Sequence, residues 1–388
     1  MAERLGWIFD DLGQYAHLWR QTRARKAPGE GRDYAAERDR VRRTVEAIHP
    51  DRMRLRVDEV IAETASARTL RMARLDGPLP PFRAGQYVNL FLELAGIRTS
   101  RPYSISSAPG GARLDLTVRN KPGGFVSPHL TSQVSEGDEF ETTGPTGTFH
   151  HEPLIDGAQL VFLAGGSGIT PFASMIRQAA VEGWPRPITL LYGSRHPRDV
   201  IFADELRRLA RGNDRFRLAL VMSEPPASFR GRRGLLDAAR IRREVGDVAG
   251  KTFFLCGPSA MYDLCRGALE ELGVPEFKVR RELYGPPEDV TQVPGWPDDV
   301  MAGQRFTVRV GQRVFEAAAA EPLLVSLERA GVVVPAVCRS GECSACRMKR
   351  VGGEVFVPPN TGVRESDMAL GYLHPCVTYP LSDFELRL

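Results

Sequence analysis

Near the C-terminus the chain reads Cys338-Arg-Ser-Gly-Glu-Cys343-Ser-Ala-Cys346, and a fourth cysteine, Cys376, follows in Gly-Tyr-Leu-His-Pro-Cys. Thiolates spaced C-x4-C-x2-C with one distant partner are an iron–sulfur arrangement, in which one loop wraps the cluster and a later segment closes it. The small residues Gly341, Ser344 and Ala345 suit a loop whose backbone N–H groups must come close to inorganic sulfide. A four-cysteine zinc site is the alternative, but it ordinarily joins two short C-x2–4-C knuckles. Disulfides fit poorly, because the cysteines are clustered and no secretory leader is read at the N-terminus.

Other strings could also do chemistry. Arg101-Pro-Tyr103-Ser104-Ile-Ser-Ser107 offers a guanidinium fork for a phosphate, a flat ring for stacking and a short hydroxyl donor. Lys121-Pro-Gly123-Gly124-Phe-Val126-Ser127 lets the backbone approach an anion at a helix start. Gly165-Gly166-Ser167-Gly168-Ile-Thr170-Pro171, entered from an apolar strand and leading into a helix, is a second phosphate cradle. It differs from the G-x-G-x-x-G fingerprint.

The elements that must position these residues follow from periodicity. Leu5, Ile8, Phe9, Leu12, Ala16 and Trp19 predict an amphipathic helix over residues 3–24, and Tyr34–Ile48 a second, charged one. This extension, residues 1–50, either packs on the adjoining domain, docks a partner, or touches a membrane surface peripherally. Met53–Val60, Ala67–Ala73, Tyr87–Leu94 and Arg113–Arg119 predict short strands of a small antiparallel barrel over residues 51–152.

From 153 to 286 strands alternate with helices: Gln159–Ala164, Phe172–Glu182, Ile188–Tyr192, Ala203–Ala210, Phe216–Met222, Leu235–Val245, Thr252–Leu255, Ala260–Leu272 and Phe277–Arg281. That order predicts a doubly wound parallel sheet with its ligand at the C-terminal strand ends. A proline-rich linker, 287–303, leads to a hairpin at Arg305–Val310 and Arg313–Ala318, a helix at Leu323–Ala330, the cysteine loop and a strand from Gly353, all within 304–388. The fold class is thus multidomain α/β and β.

Composition is ordinary for a soluble protein, with 388 residues, 42% hydrophobic, 26% charged and a net charge of +4. Basic residues interleave with acids, which argues against nucleic acid as a partner. No apolar run reaches membrane-spanning length, and the cysteine usage suits a reducing, cytoplasmic compartment.

Taken in order, the Arg101 and Gly124 strings resemble the ferredoxin–NADP reductase family. The three parts together resemble the reductases of multicomponent oxygenases, with a plant-type, β-grasp ferredoxin segment last in a phthalate dioxygenase reductase-like order. The resemblance implies that Arg101 binds flavin phosphate, Tyr103 stacks on the isoalloxazine and Ser104 lies near its N5. Gly124, Val126 and Ser127 would hold the FAD pyrophosphate. Because a relative of this order uses FMN, FMN is the alternative.

Gly166, Gly168, Thr170 and Pro171 would cradle the pyridine nucleotide, with Cys256, Gly257 and Pro258 beside the nicotinamide. Cys256 can equally be a core cysteine. Tyr284 would cover the flavin face opposite Tyr103, with Glu282 near N5, or else it is a strand-end tyrosine packed on the barrel. Ser194 and Arg195 fall where the ribose is read. With Asp199 the first acid, they favour NADPH over NADH, and Arg230, Arg232 and Arg233 either add charge there or form a basic loop.

The activity implied is an NAD(P)H-dependent oxidoreductase. Electrons would pass through FAD and a [2Fe-2S] cluster held by Cys338, Cys343, Cys346 and Cys376 to a separate terminal oxygenase, hydroxylase, demethylase or desaturase. A redox-sensing or regulatory subunit with little turnover is the alternative. Arg339, Arg347, Lys349 and Arg350 around the ligands lead us to expect a docking face for an acidic partner.

Overall fold

The computed structural model describes residues 51–359 and 361–387, together with Ala16 and Arg20, which are helical and exposed. The rest of the two expected N-terminal helices lies outside the described residues. Asp51–Leu388 is one compact unit.

The unit opens with strands β1 (Met53–Thr64), β2 (Ala67–Arg74), β3 (Tyr87–Leu94), β4 (Ile97–Ser104) and β5 (Arg113–Arg119), the short helix α1 (Ser127–Ser132) and β6 (Glu139–Thr142). Every pairing in this sheet is antiparallel, in the order β4-β3-β6-β1-β2-β5. An isolated bridge from Ile105 to Leu116 brings the two edges together. The alternation Met53, Leu55, Val57 points inward against Leu70, Met72, Leu90, Leu114 and Leu116, as a half-buried strand requires. Two strands had no expectation. β4 carries five polar residues in eight and shows no apolar alternation, and β6 has only four residues.

Next come β7 (Gln159–Gly165), α2 (Ile169–Glu182), β8 (Ile188–Ser194), α3 (Ala203–Gly212), β9 (Phe216–Met222), β10 (Arg232–Arg233), α4 (Ala238–Val245), β11 (Lys251–Cys256), α5 (Ser259–Glu271) and β12 (Val279–Glu282). The sheet is parallel throughout, in the order β10-β9-β8-β7-β11-β12. Leu160, Val161, Phe162, Leu163 and Ala164 are each 0% exposed, because helices cover both faces of such a sheet.

Of the boundaries that differ from expectation, two have a clear local cause. α4 starts at Ala238 rather than Leu235, since the Asp237 carboxylate accepts the Arg240 N–H at 2.7 Å and caps the helix there. The strand expected from Phe277 starts at Val279. Phe277 sits in a 3-10 turn after Pro275 with its ring in solvent, and the strand runs on to Glu282.

The last part comprises β13 (Arg305–Val310), β14 (Arg313–Ala318), α6 (Leu323–Arg329), β15 (Met348–Val351), β16 (Val355–Phe356), α7 (Glu365–Ala369), β17 (Tyr372–Leu373), β18 (Tyr379–Pro380) and β19 (Phe384–Arg387). A mixed sheet, β14-β13-β19-β15-β17, grips α6 through Val308, Leu323, Leu327 and Leu386, while β16 and β18 pair separately. Trp296 of the proline-rich connection packs edge-on against Phe356 and near Tyr379. The connection is therefore anchored to this last part. No helix among the described residues is long and apolar enough to cross a membrane.

Candidate functional site

The C-terminal ends of β7, β11 and β12 lie side by side, with Cys256 opposite both Ala164 and Glu282. The end of β4 meets them from the barrel. Ser104 Oγ donates to Glu282 Oε2 at 3.2 Å and shares a 2.6 Å hydrogen bond with Tyr284 Oη, which also lies 3.3 Å from Thr170 Oγ1. Burial pushes the Glu282 carboxyl up to about 8, against the pull of the Ser104 hydroxyl. Cys256 is fully buried, and burial drives its thiol well above the usual range, so it is not a poised nucleophile.

The glycine turn fits tightly against this edge. A Cβ on Gly168 would stand 2.2 Å from the Cys256 carbonyl oxygen, and Gly166 has φ +55°. Pro171 is buried in the first turn of α2. Gly257 and Pro258 link β11 to α5 and crowd Gly165, whose Cβ would be 2.9 Å from Pro258 Cδ. Tyr192, for which the sequence suggests no role, donates to the Gly166 carbonyl at 2.8 Å and accepts from Ile201 N at 3.2 Å. An aromatic in a largely apolar strand is the only cue, and it is shared with any core tyrosine.

Other expected site residues occupy separate places. Tyr103 packs on the barrel core. Arg101 Nη1 donates to the Ser100 carbonyl at 2.7 Å and to Thr99 Oγ1, and burial pulls its pKa down to about 10. Gly124, Val126 and Ser127 make their own turn, in which Gly124 N donates to Lys121 O at 2.8 Å and Ser127 Oγ accepts from Lys121 N at 2.9 Å. A side chain at Gly124 would press on Lys121 O at 2.9 Å, so the bare backbone is a requirement there.

Ser194 ends β8 and is nearly buried, while Arg195 beside it is exposed. Arg232 pairs with Glu244 at 2.6 Å and Arg233 donates to the carbonyls of Pro226, Ala227 and Phe229. These two arginines are thus committed to holding their own loop.

In the cysteine loop, Cys338, Cys346 and Cys376 are buried and Cys343 is exposed. Ser340 N and Cys343 N each donate to Cys338 Sγ at 3.4 Å, and the Cys346 and Cys376 sulfurs are 3.5 Å apart. Hydrogen bonds from the Cys343 and Cys376 thiols pull the Cys338 thiol far down. Positive φ at Arg339, Gly341 and Ser344 turns the backbone around the sulfurs. The buried hydroxyls of Ser340 and Ser344 have no partner in the protein. Four converging thiols lined with unspent donors fit an iron–sulfur cluster, whose sulfides accept such hydrogen bonds.

Behind the loop, the fully buried His374 ring bridges the Gly341 carbonyl, 2.7 Å from Nδ1, and the Asp367 carboxylate, 3.2 Å from Nε2. Tyr87 sits between loop and strand ends. Burial first, then the negative charge of Cys338, Cys343, Glu282 and Glu342, raise its hydroxyl pKa. The expected basic docking face is corrected at one position. Arg339 is 7% exposed, ion-paired to Glu328 and bonded to Thr99, because its left-handed backbone turns the side chain inward.

Three family models match along the chain: an oxidoreductase FAD-binding domain over residues 54–151, an oxidoreductase NAD-binding domain over 162–267, and a 2Fe-2S iron-sulfur cluster binding domain over 306–381. The 3-ketosteroid-9-alpha-monooxygenase ferredoxin reductase component of Mycobacterium tuberculosis is 31% identical, over 85% of this chain and 94% of that protein. The glycine betaine monooxygenase reductase subunit of Pseudomonas aeruginosa is 29% identical, over 85% and 93%. The solved structure of phthalate dioxygenase reductase superposes with a TM-score of 0.65 at 24% identity, covering 87% of this chain and 98% of that one, and shares its fold. The chain therefore belongs to the ferredoxin–NADP reductase family with a C-terminal plant-type ferredoxin domain, and is an electron-transfer oxidoreductase with FAD, pyridine-nucleotide and [2Fe-2S] domains.

Proposed function

We propose that the chain takes hydride from NADPH, in preference to NADH, at the Ser104–Glu282–Tyr284 edge and delivers single electrons through the cysteine loop to a separate terminal oxygenase-type metalloenzyme. The observation that carries this is the meeting, at one edge, of Ser104 from the barrel with Cys256, Glu282 and Tyr284 from the parallel-sheet domain. When bound, the flavin accepts two electrons as hydride and releases them singly, and the cluster carries one at a time. In this reading Glu282, protonated near neutral pH, holds a proton beside the Ser104 hydroxyl. The turn Gly166–Pro171 brings backbone to the dinucleotide, and Tyr192 keeps that turn in shape. Tyr103 and Arg101 bind flavin ring and phosphate, and Gly124, Val126 and Ser127 its pyrophosphate. Cys338, Cys343, Cys346 and Cys376 ligate the cluster.

The oxygenase reductase components among the relatives support a terminal oxygenase as acceptor. Exposed Arg195 beside Ser194 supports a 2′-phosphate, and a cytoplasmic location suits the free thiols.

The test compares two artificial acceptors. Each NAD(P)H should reduce two ferricyanide or two cytochrome c molecules, releasing NAD(P)+ and a proton. Cys343→Ser should lower cytochrome c reduction by about a hundredfold or more while ferricyanide reduction at the flavin persists. Slow turnover of the wild type with both acceptors would instead indicate a sensing or regulatory subunit.

A further inference from the structure

β4 is an edge strand of its sheet, a position whose unpaired main-chain groups invite cover. Here the ferredoxin domain covers it through a polar contact with little solvent. The carbonyl of Ala336, just before Cys338, accepts from Asn89 Nδ2 at 2.6 Å and from Ser100 Oγ at 3.2 Å. Thr99 Oγ1 lies 3.1 and 3.0 Å from the two oxygens of the Glu328 carboxylate and accepts from Arg339 Nη2 at 3.1 Å. Arg339 is also ion-paired directly with Glu328. Asn89 is 0% exposed, Ser100 5%, Thr99 6% and Arg339 7%.

A buried ion pair of this kind adds little stability over an apolar pair, but removal of one member strands the other charge, so it selects one arrangement sharply. The arrangement also shapes the cysteine loop. Arg339 adjoins Cys338 and has φ +56°, a conformation that a residue with a side chain keeps only when its surroundings hold it. On the barrel side, Thr99 lies on the same continuous strand as Tyr103 and Ser104. A single rigid segment thus connects the latch residues to the residues at the flavin site.

We propose that Thr99, Glu328 and Arg339 form a latch between domains that seats the cysteine loop at one position on β4, and that they are positioning residues for the passage of electrons from the flavin site to the cluster. The proposal rests on the electron-transfer reading above. The reaction balances as before: the nicotinamide C4–H bond breaks with its electron pair, two one-electron acceptors are reduced, and one proton is released.

The experiment uses the full-length, cofactor-loaded protein. Glu328→Gln, which lies on the ferredoxin side and is linked to Arg101 through the shared Thr99 hydroxyl, keeps a side chain that can bond Thr99. It should leave NADPH–ferricyanide turnover within about twofold of wild type while slowing cytochrome c reduction about tenfold or more. Hydrogen exchange of the Ile97–Ser104 amides, a readout independent of turnover, should accelerate about tenfold or more as the cover loosens. Thr99→Val should repeat both effects with ferricyanide turnover and flavin content retained, a check needed because Thr99 Oγ1 also accepts from Arg101 Nη1. Thr99→Ser should restore them, which keeps the test decisive if Glu328→Gln loses its cluster. Wild-type cytochrome c reduction together with unchanged exchange in Glu328→Gln and Thr99→Val would overturn the latch. Should Cys343→Ser leave cytochrome c reduction intact, the electron-transfer reading is what fails, and the exchange rates alone then decide whether the latch holds the domains.

Discussion

The strand-end site and the cysteine loop solve the placement of reactive groups in opposite ways. At the strand ends, Ser104, Glu282, Tyr284 and Thr170 come from distant parts of the chain and satisfy one another's hydrogen bonds. In the loop, three of the four thiols lie within one short segment, while Ser340 and Ser344 keep buried hydroxyls unspent. The first is a finished protein network that long-range packing holds in place. The second is a local wrapper whose hydrogen bonding is completed only by what it encloses. Disturbance of the first should therefore register in the stability of the polypeptide itself, and disturbance of the second in the cluster and in electron delivery.

The sharpest test of that contrast is the pH dependence of stability at Glu282. Its carboxyl is raised from 4.5 unfolded to about 8 folded. The folded state thus holds a proton that the unfolded state has released. The associated stability is complete below pH 4.5 and is lost as pH rises towards 8, at up to about 1.4 kcal/mol per pH unit and a few kcal/mol in all. Glu282→Gln should remove this slope, so that urea unfolding at pH 5 and pH 8 differs by less in the variant than in the wild type. Glu342→Gln in the cysteine loop should reduce the slope by less, since burial and the Cys338 charge raise its carboxyl in the same direction but not to the extent seen at Glu282. Equal slopes in wild type and Glu282→Gln would mean that the carboxyl stays ionised.

The same contrast explains how much could be read from the chain alone. The cysteine spacing, the glycine turns and the alternation of strands and helices are local patterns, and the three-part fold followed from them. β4 was not visible as a strand, because Arg98, Thr99, Ser100 and Arg101 carry no apolar alternation and are held by pairing to β3 and by the ferredoxin domain. Nor was the inward turn of Arg339, since its type says "basic surface" and only its positive φ and Glu328 reverse that. Tyr192 and Tyr87 act through neighbours remote in sequence, which no spacing encodes.

The packed edge offers a second test of the comparison. Gly168→Ala puts a Cβ 2.2 Å from the Cys256 carbonyl, backbone against backbone, and should destabilise the protein by about 1–3 kcal/mol. Denaturant unfolding checks this, and wild-type stability would show that α2 can shift without cost. Loss of Arg195 should cost less and only with one coenzyme. Its side chain is exposed while its carbonyl is held by Glu224 N at 2.9 Å, so Arg195→Ala should fold normally. We expect kcat/KM for NADPH to fall about tenfold with NADH nearly unchanged. An equal loss for both coenzymes would remove the 2′-phosphate assignment.

The smallest effect is expected at the remaining basic residues beside the cysteine loop, where Arg350 is turned to the Gly353 carbonyl and Arg347 and Lys349 are unequal. Arg347 is ion-paired to Asp367 at 3.2 Å and its guanidinium lies over Tyr372. Because Asp367 also meets His374, which meets the Gly341 carbonyl, charge reversal at Arg347 would disturb the loop as well as the surface. Lys349 also lies over Tyr372 and contacts the Leu370 carbonyl, but touches none of that chain. Lys349→Glu is therefore the cleaner probe of docking. With an acidic electron acceptor at low salt it should slow transfer about threefold and flatten the salt dependence, since a rim charge acts mainly on encounter. Unchanged rates at low salt would show that the acceptor does not approach over Lys349. Arg347→Glu should show a larger loss that persists at high salt, because added ions screen an encounter but do not rebuild the Asp367–His374 support.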